Sequence, residues 1–218
     1  MGRLLLALVI ITLNQIAHGQ ETTLESCGTA LYKAKKNVYD NDVARKSGLK
    51  SLTSASLLSL RKLENDWSDC VRNKSIPNLS FTTIDCKKFN DSNLRGKVLV
   101  INFWFKSCAP CVAEMPALNK LRNEFKGRDV VFIGFSTDAE HALKADYLNS
   151  SKFLFNIVSN SGDVADKFYF DGFPTTYIVD QNGKVVKAWT GYAVGLADPY
   201  SIAKPLINRL LARKRKDM

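Results

Sequence analysis

The sequence predicts an α/β fold, a central mixed β-sheet flanked by helices, with a small helical extension in front of it. Three observations carry this. From Leu79 onward apolar strand-like runs alternate with amphipathic helix-like stretches, the pattern of a layered sheet-and-helix domain. Late in the chain an Asn182-Gly183 turn joins two such runs, which predicts an antiparallel hairpin followed by a closing helix. Residues 20–75, rich in Lys, Asn and Ser, hold a helical stretch.

The 218 residues exceed one typical domain and fall short of two large ones, so one main core with an appendage is expected. Arg3 precedes the apolar run Leu4 to Leu13, too short to span a bilayer, which takes ~20 residues. With the small residues Ala17 and Gly19 behind it, the run reads as a signal peptide over residues 1–19, cleaved before Gln20. The expected location is therefore periplasmic or otherwise extracytoplasmic, with no stable membrane span after cleavage. The formal charge of +10 comes from scattered Lys and Arg apart from the tail Arg213 to Lys216. No aromatic and basic interleaving suited to stacking bases accompanies it, so no nucleic-acid partner is expected.

In the extension, Leu60, Leu63 and Trp67 follow helical spacing between Thr53 and Cys70, with Leu57 and Leu58 nearby, and Thr53 or Ser54 can cap the helix. The breaker Asn73-Lys74-Ser75-Ile76-Pro77 predicts the boundary between an extension at 20–75 and a main domain at 76–218. Ser80 to Ile84 reads as a short strand and Val98 to Trp104 as a buried central one. A helix from Ala109 to Phe125 follows, with Val112, Met115, Leu118, Leu121 and Phe125 on one face and a stop at Gly127. Val130 to Phe135 is a second buried strand, Ala139 to Leu148 a helix, and Gly162 to Phe168 a shorter helical segment. Thr175 to Asp180 and Lys184 to Trp189 form the hairpin, and a last helix starts near Asp198-Pro199.

The chemistry concentrates where the central strand meets its helix, at Cys108-Ala109-Pro110-Cys111. Unpaired N–H groups and the positive end of the helix dipole stabilise a thiolate there, lowering a cysteine from about 8.5 into roughly the 3.5 to 7.5 range. Cys108 is the expected nucleophile and Cys111 the resolving thiol. In this chemistry the Cys108 thiolate attacks a partner disulfide, and Cys111 then attacks the mixed disulfide and releases the reduced partner. Cys-x-x-Cys spacing also occurs in zinc sites, but zinc needs two further ligands. Behind the cleavage site the chain keeps His141 alone and has no second Cys-x-x-Cys pair, so no metal and no cofactor is expected.

Val98 to Pro116, followed by Gly172-Phe173-Pro174-Thr175-Thr176, resembles the thioredoxin superfamily, in its TlpA/ResA-like, AhpC/TSA-related exported branch, over roughly Ile76 to Leu211. The resemblance implies a thioredoxin-like fold and a cis bond before Pro174 beside the dithiol, whose adjoining backbone pairs with the substrate chain. Trp104 and Pro116 match the aromatic residue before the nucleophile and the proline of the active-site helix. Asn102 stands where thioredoxin has a buried aspartate and cannot accept a proton, and Ser107 replaces the tryptophan before the nucleophile. Glu114 matches a glutamate of the ResA-like branch. Three residues after Cys111, it can approach that thiol and tune its deprotonation, the alternative being a solvent-facing charge.

The branch implies a thiol-disulfide oxidoreductase that reduces or exchanges disulfides of exported proteins, for example in cytochrome c maturation. Its expected partners are exported disulfide or dithiol substrates and a membrane thiol-disulfide electron donor. A Cu(I)-binding, metal-delivery role for the same cysteines is the alternative. A peroxiredoxin-like peroxidase is a further one, disfavoured by Phe105 at the place of that group's threonine. Cys27, Cys70 and Cys86 are structural disulfide candidates. Either Cys27 pairs with Cys70, leaving Cys86 as a small buried residue, or Cys70 pairs with Cys86.

Overall fold

The computed structural model describes residues 22–48, 51–143, 153–192 and 198–214. The expected signal peptide and its cleavage point lie outside the described residues. So do residues 215–218, the end of the basic tail.

The chain begins with a helix that the sequence reading did not identify, α1 (Leu24–Asn41). Thr23 and Ser26 form a reciprocal capping box at its start, satisfying two otherwise orphaned N–H donors. Its buried stripe is Leu24, Cys27, Gly28, Leu31 and Lys35, in which small and charged residues stand among the leucines and blur the apolar period. A single turn, α2 (Val43–Lys46), leads to α3 (Ser54–Cys70), capped as expected by Thr53, whose side chain accepts from the Ser56 N–H. Trp67 on α3 is buried and Leu60 and Leu63 are half-buried, so the expected stripe faces the core, whereas the nearby Leu57 and Leu58 are exposed.

Strands β1 (Ser80–Thr82) and β2 (Lys88–Asn90) form a separate antiparallel hairpin, followed by the turn α4 (Asp91–Leu94). The main sheet contains β3 (Val98–Trp104), β4 (Val130–Ser136), β5 (Asn156–Val158), β6 (Thr175–Val179) and β7 (Val185–Thr190), in the order β5-β4-β3-β6-β7. The β5-β4-β3 half is parallel and β6 and β7 run antiparallel, which makes the sheet mixed. Between the strands lie α5 (Ala109–Glu124) and α6 (Gly162–Asp166), and α7 (Pro199–Lys214) closes the fold. Residues 140–143 are helical, and the rest of the helix expected to reach Leu148 lies outside the described residues.

All seven residues of β3 are buried, because helices cover both of its faces. Val98, Val100 and Trp104 pack with Leu118 and Leu121 of α5 and Ile207 of α7. Leu99, Ile101 and Phe103 point the other way and pack with Leu24 and Leu31 of α1 and Trp67 of α3. Each such side chain contributes roughly 1.5–3 kcal/mol when fully buried. The extension therefore shares the core of the main sheet. Trp67 meets Tyr177 of β6 edge-on, with ring centroids 5.8 Å apart.

The breaker segment also joins the sheet. Asn73 and Ile76 donate their N–H groups to the carbonyls of Val185 and Gly183, and Val185 donates to Lys74 O at 2.9 Å. Residues 73–76 thus cover the outer edge of β7, where unpaired strand groups would otherwise be open to other chains.

Candidate active site at the dithiol

Strand β3 ends at Trp104, and the loop after it is held from the neighbouring strand. The Lys106 N–H donates to Asp138 Oδ2 at 2.6 Å, and that same oxygen accepts from Ser136 Oγ at the end of β4. Asp138 was not among the residues singled out from the sequence, because nothing local distinguishes a loop aspartate that braces a second loop. The chain then enters α5 with Cys108 as N-cap. Its Sγ accepts from the Cys111 N–H at 3.2 Å, so the sulfur occupies the place of a capping oxygen. Pro110 lies in the first turn, where its missing N–H costs nothing.

Cys108 and Cys111 are joined as a disulfide, with Cα atoms 5.2 Å apart. Both are buried, while Ser107, Ala109 and Pro110 around them are exposed. Val112, expected on the packed face of the helix, is half exposed beside Cys111.

Glu114 lies one turn beyond Cys111 and is buried, 1% exposed, rather than solvent-facing. Its Oε1 accepts from Asn102 Nδ2 of β3 at 2.7 Å, and Oε2 is buried without a hydrogen-bond partner among the described residues. Burial disfavours the charged carboxylate and outweighs the opposing Asn102 bond, so the group is pushed up to about 8. Asn102 donates its second amide proton to Thr176 Oγ1 at 2.9 Å. The asparagine in place of an acid is thus an orienting donor that ties β3, β6 and α5 together under the dithiol. Thr176 completes this cluster, and only the register that sets it opposite Asn102 shows its part.

Pro174 stands just before β6, and its peptide bond with Phe173 is cis. Phe103 pairs with Thr175 in the register, which brings the proline segment level with the end of β3 from which the Cys108 loop departs. Gly172 supports the turn with φ +121, a conformation L side chains avoid, and Thr175 Oγ1 donates to its carbonyl at 2.8 Å. The Phe173 ring lies edge-on to Phe105 of the Cys108 loop, with centroids 5.3 Å apart. Phe105, Val112 and Phe173 form a partly exposed apolar rim around the cysteines.

The other cysteines lie elsewhere. Cys27 and Cys70 form a disulfide that ties α1 to α3 on the opposite face of the sheet, which settles the pairing. Cys86 is unpaired but exposed, which corrects its expected burial. It sits in the β1–β2 turn with φ +65, its N–H donating to Thr83 O, and the turn directs it away from the core. Among the described residues no group of three or more His, Cys, Asp or Glu side chains is arranged to hold a metal ion.

The AhpC/TSA family model matches residues 73–188, from the segment that edges the sheet to the middle of β7. This chain belongs to the AhpC/TSA family. Within it, thiol-disulfide oxidoreductase ResA of Bacillus anthracis is 31% identical over 119 residues, 54% of this chain and 69% of that protein. The thioredoxin-like protein YneN of Bacillus subtilis is 30% identical over 111 residues, 50% of this chain and 65% of that one. Among solved structures, a Chlorobium tepidum protein assigned as the thiol:disulfide interchange protein DsbE superposes with a TM-score of 0.57 at 20% identity. That match covers 64% of this chain and 97% of the other. A Bacteroides thetaiotaomicron protein assigned as a protein disulfide isomerase gives 0.56 at 26% identity, covering 65% and 90%. The AhpC/TSA member described here is a TlpA/ResA-like protein of the thioredoxin superfamily and a thiol-disulfide oxidoreductase. The family-model match begins at residue 73 and so leaves out nearly all of the N-terminal extension.

Proposed function

We propose that Cys108 and Cys111 are the working dithiol of this oxidoreductase and that it reduces or exchanges disulfides of exported proteins outside the cytoplasm. The observation that carries the reading is the cysteine pair at the N-terminus of α5, with an acid pushed up to about 8 one turn below it. The reduced Cys108 thiolate attacks one sulfur of the substrate disulfide, forming a Cys108–substrate bond and expelling the other substrate sulfur as a thiolate. The ionised fraction of Glu114 takes the Cys111 proton, and Cys111 attacks Cys108 Sγ. The enzyme disulfide forms and the second substrate thiolate leaves. Glu114, pushed up to about 8, is mostly protonated at neutral pH, and its ionised form is basic enough to take a proton from a neighbouring thiol, which suits it to general acid-base work.

The rim of Phe105, Val112 and Phe173 offers an apolar seat for a polypeptide, and Pro174 with its neighbouring backbone aligns the substrate as an added strand. Electrons return from a membrane thiol-disulfide donor, and apocytochrome c is a candidate substrate. No helix among the described residues is long and apolar enough to cross a membrane.

The test is the reduction of insulin and of an oxidised Cys-x-x-Cys-His peptide, together with the potential of the dithiol. Reduction of either, abolished by Cys108→Ser, is the expected result. A potential as oxidising as about −120 mV would overturn the reductive direction. Stoichiometric Cu(I) uptake without reductase activity would overturn the enzymatic role of the pair.

A further inference from the structure

The loop that presents Phe173 and Pro174 is gripped from beneath by the N-terminal extension. Lys35 of α1 is only 9% exposed, and a lysine is rarely so buried without partners. Its ammonium has three protons and three acceptors: Glu64 Oε1 of α3, Asp171 Oδ2 at 3.1 Å and the Asp171 carbonyl at 3.1 Å. Seven residues earlier on the same helix, Gly28 lies so close to Tyr169 that a Cβ would fall 2.2 Å from the Tyr169 carbonyl oxygen. Tyr169 and Gly172 both have positive φ, so this short segment makes two turns that neighbouring contacts must hold. Phe170 packs on Phe103 of the central strand at 4.7 Å, and Phe173 reaches Phe105 before Cys108. A continuous path therefore runs from α1 through Asp171 to the rim of the dithiol.

We propose that Lys35 is a positioning residue for substrate docking. Its ammonium, shared between Glu64 and Asp171, holds residues 169–173 in the conformation that sets Phe173 and Pro174 beside Cys108. The N-terminal extension thereby governs how tightly a polypeptide disulfide docks, without touching the reacting sulfurs. The proposal rests on the reading that the Pro174 segment receives substrate. Without the cation, two carboxylates would face each other across the gap. Asp171 is the half-exposed member and the one free to turn outward, taking the loop with it.

The experiment measures KM and kcat for an oxidised Cys-x-x-Cys-His peptide, alongside alkylation of reduced Cys108 by iodoacetamide, which needs no docking. In Lys35→Met the expected result is a rise in KM of about tenfold, with kcat and the alkylation rate within about twofold of the parent, and partial recovery of KM in Lys35→Arg. An unchanged KM in folded Lys35→Met overturns the proposal, and so does an alkylation rate that falls in parallel. If Lys35→Met does not fold, Glu64→Gln weakens the same triad, and the same rise or its absence decides. Pro174→Ala separates this from the underlying reading. A raised KM there beside an unchanged one in Lys35→Met sinks the positioning role alone, whereas an unchanged KM in Pro174→Ala sinks both.

Discussion

Asn102 on the central strand donates to Glu114 on the active-site helix at 2.7 Å, and this bond partly offsets the burial that keeps the acid protonated. Replacing Asn102 with alanine removes the one donor that the carboxylate has among the described residues and leaves Thr176 Oγ1 without it as well. Glu114 should then ionise above its value of about 8, moving the alkaline limb of thiol reactivity upward. Stability should fall by about 1–3 kcal/mol from the unpaired polar groups. Carboxyl titration by NMR in the oxidised protein checks the first effect and urea denaturation the second.

The raised value of Glu114 also fixes a direction for stability. The folded protein keeps a proton that the unfolded chain, with an ordinary value of 4.5, has released by neutral pH. Stability of the oxidised protein should therefore fall as pH rises from 4.5 to about 8 and level off above it, with a slope of at most about 1.4 kcal/mol per pH unit from this group. Glu114→Gln should flatten that slope. Denaturation midpoints across the window decide, and a slope identical in the variant would sink the assignment.

The two cysteines should separate by role. Cys111→Ser keeps the attacking thiol and removes the resolving one, so it should accumulate as a mixed disulfide with substrate. Cys108→Ser should form no such adduct. Glu114→Gln should slow resolution by at least about tenfold while leaving adduct formation intact. Non-reducing electrophoresis with mass measurement of the adducts reads all three.

The Cys27–Cys70 bridge closes a segment of 43 residues between α1 and α3. Replacing both cysteines with serine should cost about 2–4 kcal/mol by restoring freedom to the unfolded chain. Because Cys27 is buried against the sheet, the loss should appear as a lower Tm of the whole domain and not as a separate transition of the extension. Calorimetry distinguishes the two patterns.

Gly28 offers a test of close packing. In a helix interior alanine ordinarily exceeds glycine by about 1 kcal/mol. Here the added Cβ meets the Tyr169 backbone at 2.2 Å, and backbone cannot rotate away as a side-chain tip can. Gly28→Ala should therefore destabilise by about 1–3 kcal/mol, the usual cost of overpacking. A gain in Tm would show that α1 can lift off the loop.

Val98 to Trp104, the α5 helix, the Asn-Gly hairpin and the closing helix were legible in the sequence because each is specified locally, by a run of β-branched residues, a cap, a turn dipeptide or a periodic stripe. The place of Cys108 and Cys111 at a helix N-terminus followed from the same local signals. The cis bond at Pro174 and the interest in Glu114 came from resemblance to a family and not from spacing. Helix α1 escaped because its buried stripe holds Gly28 and Lys35, and β5 because three residues carry too little pattern.

By itself the sequence determined the dithiol, its strand-to-helix setting and the layered α/β class, since those depend on neighbours within a turn or two along the chain. Only the tertiary structure decided that Glu114 is buried, that Asn102 and Thr176 surround it, and that Cys27 pairs with Cys70. It also decided that Lys35 reaches Asp171. These depend on desolvation and on contacts between residues tens of positions apart, and neither quantity is a property of any local stretch of sequence.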